Sequence, residues 1–244
     1  MMKGLFTLLF VLSYFPNASA QIKGQTFTYL SSYQDSSGLR IIDSLMIAFD
    51  TSAWKFQDKQ NQLRFNYFSN SLGIEKFYKA HPLAAERNRF EKNSAKRDKG
   101  KKSWENYTVL DSFEVSGYIA NDSIFLMHSP RSNQYSKCQV APLVEVHLQQ
   151  LSEGSEWDSK LIILKGYPSN EEFIGSLDCK YKVIGKKEIL YKNIMISCWE
   201  ISAVANHTKR GKSSTTYLFN EKIGVLSIDY QFYDHSSISL QLLK

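Results

Sequence analysis

The chain has 244 residues, with 30 Lys and Arg against 24 Asp and Glu, and only three cysteines. A body of this size buries its own core, and three thiols are too few for a disulfide-built scaffold. No CxxC, no HExxH, no glycine-rich phosphate loop and no GxSxG elbow occurs, which argues against zinc, nucleotide and α/β-hydrolase chemistry; the expectation is no metal and no cofactor.

The first element is a leader. Lys3 precedes a mostly apolar run, Gly4–Phe15, and Ala18 and Ala20 stand at the small-residue positions of a signal-peptidase site. The run is short for a membrane span, which needs about 20 apolar residues. The expectation is a signal peptide over 1–20 and a mature chain of 21–244, periplasmic or secreted, without a transmembrane segment.

QTFTYL, SAWKFQ and QLRFNYF predict strands, while LRIIDSLMIAFD fits strand or helix period equally. SLGIEKFYKA and LAAERNRFEKNSAKR predict one or two short helices in the N-terminal half, separated by Pro82. They form a basic insert at about 71–104, with ten Lys and Arg against four Asp and Glu between Glu75 and Lys102. Lys96, Arg97, Lys99, Lys101 and Lys102 are candidate contacts for an anionic envelope component. A solvated charged face explains the same residues. The segment lacks the aromatic interleaving of a nucleic-acid module.

Beyond residue 104 the period is two. VSGYIANDSIFLMH predicts a hairpin turning at Asn121 and Asp122. The stretch from His128 to Leu148 holds Ser, His, Arg and Cys between prolines. It reads as a connection leading into a strand in which Val144, Val146 and Leu148 alternate with Glu145 and His147. Ser129 follows His128 directly, and neighbours on a strand point to opposite faces, so no Ser–His pair is expected and no catalytic residue is assigned. Arg131 is a candidate anion contact, or the partner of a carboxylate or carbonyl.

LIILK (Leu161–Lys165) predicts a strand buried on both faces, and NIMISCWEISAV (Asn193–Val204) a long strand. NEKIG joins TTYLF to VLSIDYQF as a hairpin, and Ile238, Leu240 and Leu242 alternate in a last strand. Cys179 and Cys198 fall in adjacent predicted strands. A hairpin centred near Lys187–Leu190 would bring them face to face as a disulfide, and a turn at Gly185–Lys186 would not. Three buried, unpaired thiols are the other reading.

These elements predict a mainly β chain: a large curved antiparallel sheet, half-barrel or sandwich, in one domain. The stretch from Gly175 to Ala203, followed by STTYLFNEKIGVLSIDYQF, resembles uncharacterised secreted proteins of Gram-negative bacteria. It is also similar to the half-open β-barrels of periplasmic lipoprotein carriers. The resemblance covers roughly residues 105 to 242 and implies a curved sheet around an apolar cavity. It transfers no catalytic residue. Two functions follow as expectations. One is a non-catalytic binding protein for a lipid or lipoprotein, with Trp157, Trp199, Tyr230, Phe232 and Arg131 as ligand contacts. The alternative is an interaction protein of the cell envelope acting through its surface, with a filled core and an exposed patch. A hydrolase with an unrecognised site stands third.

Overall fold

The computed structural model describes residues 22–54, 59–68, 113–164 and 171–243. The leader, both expected N-terminal helices and the basic insert lie outside the described residues, as do Lys96, Arg97, Lys99, Lys101 and Lys102.

Among the described residues, twelve strands form one antiparallel sheet. They are β1 Thr26–Gln34, β2 Arg40–Ala53, β3 Asn61–Phe68, β4 Phe113–Ala120, β5 Ile124–Met127 and β6 Val144–His147. The second set is β7 Glu156–Ile163, β8 Gly175–Tyr191, β9 Ile194–His207, β10 Gly211–Asn220, β11 Gly224–Gln231 and β12 Ser237–Leu242. Their order in the sheet is β6-β5-β4-β3-β2-β1-β12-β11-β10-β9-β8-β7. Two six-stranded meanders therefore meet in the middle, where the first strand pairs with the last.

The sheet curls into a half-barrel, and strict alternation says why. In β2, Ile41, Asp43, Leu45, Ile47 and Phe49 are buried, while the side chains between them are less so. In β8 the same holds for Leu177, Cys179, Tyr181 and Val183. One face of each strand thus enters a common core. The period that was ambiguous in LRIIDSLMIAFD resolves as strand, because only period two puts all five residues on one side.

The chain crosses from β6 to β7, the two margins of the sheet, through Leu148–Ser155. The margins meet there. The His147 and Trp157 rings lie 5.2 Å apart. Gly154 N–H donates to the Val183 carbonyl at 2.9 Å, and Val183 N–H donates to the Ser155 carbonyl at 2.9 Å.

Two sequence expectations are corrected. LIILK is not buried on both faces: Ile162 and Leu164 are each 61% exposed, because β7 is a marginal strand with its convex side in water. The Cys179–Cys198 disulfide does not form. The β8–β9 hairpin turns at Lys192 and Asn193, both with positive φ, so Cys179 faces Ala205 and Cys198 faces Lys187. Cys198 and Ala205 are seven residues apart on one strand, roughly 23 Å, and a disulfide needs Cα atoms within about 7 Å. All three cysteines are buried free thiols.

Candidate functional site

The interior of the half-barrel is the place where chemistry or a ligand would sit, and the stretch Ser129–His147 runs into it. Eight residues, Asn133–Val140, form a 3₁₀ turn, and Tyr135, Cys138, Val140, Ala141, Val144 and Val146 are buried. Inward side chains of the sheet hold this stretch by its backbone. Tyr181 Oη donates to the Leu143 carbonyl at 3.2 Å, Thr215 Oγ1 donates to the Pro142 carbonyl at 3.1 Å, and Tyr217 Oη donates to the Glu145 carbonyl. Tyr230 Oη and Ser129 Oγ share a hydrogen bond of 3.2 Å. A segment without strand partners on every residue has polar backbone to satisfy, and these hydroxyls do it where water cannot reach. Burial pushes the phenols of Tyr217, Tyr181 and Tyr230 well above the ordinary tyrosine range, so they remain hydrogen-bond donors.

Charge anchors the first half of the stretch. Arg131 Nε lies 2.6 Å from Glu114 Oε1, and its backbone N–H and the Ser132 hydroxyl donate to Glu114 Oε2 at 2.8 and 3.1 Å. Arg131 Nη2 also reaches the Val115 carbonyl at 3.4 Å. Glu114 is 1% exposed, so Arg131 is its counter-ion inside the fold. Lys137 Nζ pairs with Asp234 and donates to Ser236 Oγ at 2.9 Å.

The other expected contacts are dispersed around this packed interior. Trp157 stacks on Tyr181 at 5.3 Å and 6°, and its ring N–H is buried without a hydrogen-bond partner. Tyr230 stacks on Phe232 at 5.9 Å and 7°. Trp199 is partly buried against the core, with Lys186 Nζ 4.7 Å above its ring. Trp157, Tyr230 and Phe232 thus touch other parts of the chain, and Arg131 touches Glu114.

Nucleophiles are poorly served here. His128 tilts against Trp54 at 5.5 Å while Ser129 turns to Tyr230, so the two side chains diverge. Burial pushes the Cys179 thiol up to about 12 and Cys198 up to about 11, and burial, with Glu114 nearby, also raises Cys138 well above the ordinary thiol range. Glu145 Oε1 and His147 Nε2 lie 2.9 Å apart at the margin of β6. Among the described residues, no three His, Cys, Asp or Glu side chains converge as a metal site, and no helix is long and apolar enough to cross a membrane.

Sequence reasoning missed the tethering residues Glu114, Tyr181, Thr215 and Tyr217. Their signal was present: each is a polar or amphipathic side chain at an inward position of an alternating strand, where a partner is obligatory.

No family model and no curated protein matches the sequence. Solved structures with a similar outline include a candidate exported protein with a YmcC-like fold from Bacteroides fragilis, at 9% identity and a TM-score of 0.40, covering 90% of this chain and 94% of that one. The hypothetical lipoprotein YmcC from Escherichia coli is 9% identical with a TM-score of 0.35, over 92% and 89% of the two chains. A candidate lipoprotein from Parabacteroides distasonis is 9% identical with a TM-score of 0.41, over 91% and 94%. Likeness of this degree transfers no residue role, and the function is argued from this chain alone.

Proposed function

We propose that this is a non-catalytic, exported protein of the cell envelope that acts through its outer surface. The observation that carries this reading is the occupied interior: the connection Ser129–Leu143 packs on the half-barrel's concave side, fastened by Tyr181, Thr215 and Tyr230, while Tyr217 holds the adjoining β6 at Glu145. A lipid chain in that space would have to displace a segment whose backbone is tethered at Arg131, Pro142, Leu143 and Glu145 and whose first half is ion-paired through Arg131 and Lys137. The leader-like sequence Lys3–Ala20 supports export.

Native mass spectrometry of protein exported with its own leader, purified without detergent and then incubated with envelope lipid extract, tests the reading. The bare polypeptide mass is expected. Extra mass that organic solvent releases as lipid would reinstate the binding-protein reading, with Trp157, Tyr230 and Phe232 as cavity lining.

A further inference from the structure

The β8–β9 hairpin outgrows the sheet. Pairing with β7 ends at Lys182, and pairing with β10 ends at Trp199. From Lys187↔Cys198 to Tyr191↔Ile194 the two strands are in register only with each other among the described residues. This is a two-stranded ribbon of about 16 Å. Its turn, Lys192–Asn193, has positive φ at both positions, the geometry of a tight two-residue hairpin.

The end of the ribbon is apolar where a surface hairpin is ordinarily polar. Leu190 is 52% exposed, Ile194 65% and Met195 59%. Leu190 faces Met195 in the register and so shares one side with it, whereas Ile194 faces Tyr191 on the other side. Apolar groups thus stand on both sides of a ribbon one layer thick. A protein partner covering one side would leave the other in water. A bilayer interface surrounds the tip and covers both.

The polar groups around the tip fit the same medium. Residues 185–195 carry three lysines and one glutamate. Lys187 pairs with Glu200 at 2.9 Å. Lys186 and Lys192 each lie over an aromatic ring, Trp199 at 4.7 Å and Tyr191 at 5.3 Å. Lysines with apolar stems beside Trp and Tyr are suited to the headgroup layer, and their charge complements anionic lipid. The chain also enters the fold at this end: Ile22 lies against Gly224, just past the turn that follows Asn220, 3.3 Å from where a β-carbon would stand.

We infer that the tip of the β8–β9 hairpin is a membrane-docking element, inserting Leu190, Ile194 and Met195 into the interface of an anionic bilayer while Lys186 and Lys192 meet its headgroups. This rests on the surface-acting reading above and specifies the surface.

The test is co-sedimentation of the host-processed protein with vesicles of phosphatidylglycerol and phosphatidylethanolamine, and with vesicles of phosphatidylcholine alone. Binding to the anionic vesicles that weakens with salt is expected. The L190S/I194S/M195S variant should bind more weakly by roughly tenfold for each side chain. The K186Q/K192Q variant should lose the preference for anionic lipid. I42S and I162S, equally exposed substitutions toward the opposite end of the strands, should leave binding unchanged. Should the triple variant lose its circular-dichroism signature, I194S alone takes its place. Absence of vesicle binding, equal loss in the control variants, or full binding by the tip variants would overturn the inference. So would a dimer in sedimentation velocity that tip variants abolish, without any vesicle binding. Lipid found inside the protein by mass spectrometry would sink the surface-acting reading without touching the tip variants, so the two failures are distinguishable.

Discussion

Arg131 and Glu114 face each other at 2.6 Å with Glu114 almost wholly removed from water. The carboxylate also accepts the Arg131 backbone N–H and the Ser132 hydroxyl, so its charge is matched on both oxygens. Such a pair is costly to break from one side, because the remaining ion is left buried and uncompensated. Arg131→Met should therefore destabilise the protein by about 3–5 kcal/mol. The double variant R131M/E114Q should recover a large part of that loss. Urea unfolding midpoints at neutral pH measure both. A double variant no more stable than R131M would show that the guanidinium acts through packing instead of charge.

Tyr217→Phe removes a donor and leaves the Glu145 carbonyl without it inside the core. A loss of about 1–3 kcal/mol is expected, with a similar figure for Tyr181→Phe. Because both tyrosines hold one segment, their effects should be non-additive in the double variant. Strict additivity in unfolding experiments would mean that the segment is not held as a unit.

Acid should weaken the fold in two separable steps. Burial, with Arg131 nearby, pushes His128 down to about 4 from an ordinary value of 6.5. Burial also lowers His207, whose Nδ1 accepts the backbone N–H groups of Lys209 and Arg210 while Nε2 donates to the Phe173 carbonyl. Both shifts favour the neutral imidazole, and for His128 the unfolded chain binds more protons than the folded one between 6.5 and about 4. Stability must then fall as pH falls through that window, by up to about 3 kcal/mol for His128, and be flat above it. Below the window a second loss begins. Asp234 and Asp50, lowered by their hydrogen bonds and by Lys137 and Arg64 respectively, become protonated in the unfolded chain first. Unfolding midpoints for H128F across this range should show a shallower slope between pH 6.5 and 4 and an unchanged slope below. An unchanged slope in the upper window would remove His128 as its source.

Thiol titration checks the strand register. In denaturant without reductant, three thiols per chain should react, and in the folded protein all three should react slowly, since each is buried and its thiolate disfavoured. A count of one in denaturant would restore a Cys179–Cys198 bridge and require the β8–β9 hairpin to slide by about four residues at its turn.

The sheet was legible because alternation is a local property. VLSIDYQF, NIMISCWEISAV and the Asn121–Asp122 turn can each be read from a window of about ten residues, and each lies in the predicted strand or turn. The β8–β9 turn was misplaced for an equally local reason. Gly185 looks like a turn residue but marks a register shift, while the actual turn places Lys192 at positive φ, where lysine gives no warning. The fate of Ser129–His147 could not be read locally. Whether a Pro-flanked connection lies outside a barrel or inside it depends on Tyr181, Thr215 and Tyr217, some 38 to 73 residues away in sequence. For the same reason Trp157, Tyr230 and Phe232 had the right composition for a ligand cavity, and only the position of the connection says what they touch.

The pairing of β1 with β12 gives the last strand of the sheet a governing position. Each meander can assemble from neighbours in sequence, yet the rows of backbone groups on β1 and β11 that face each other's side of the sheet stay open until Ser237–Leu242 slides between them. The six residues Ser237–Leu242 thus act as the closing seam of the whole sheet. A chain shortened by one strand would present two unprotected edges at its centre, each a template for pairing with another molecule. Linking β12 to β1 and cutting instead at Leu148–Ser155 would turn the same sheet into a single uninterrupted meander, with every strand laid beside the one made just before it.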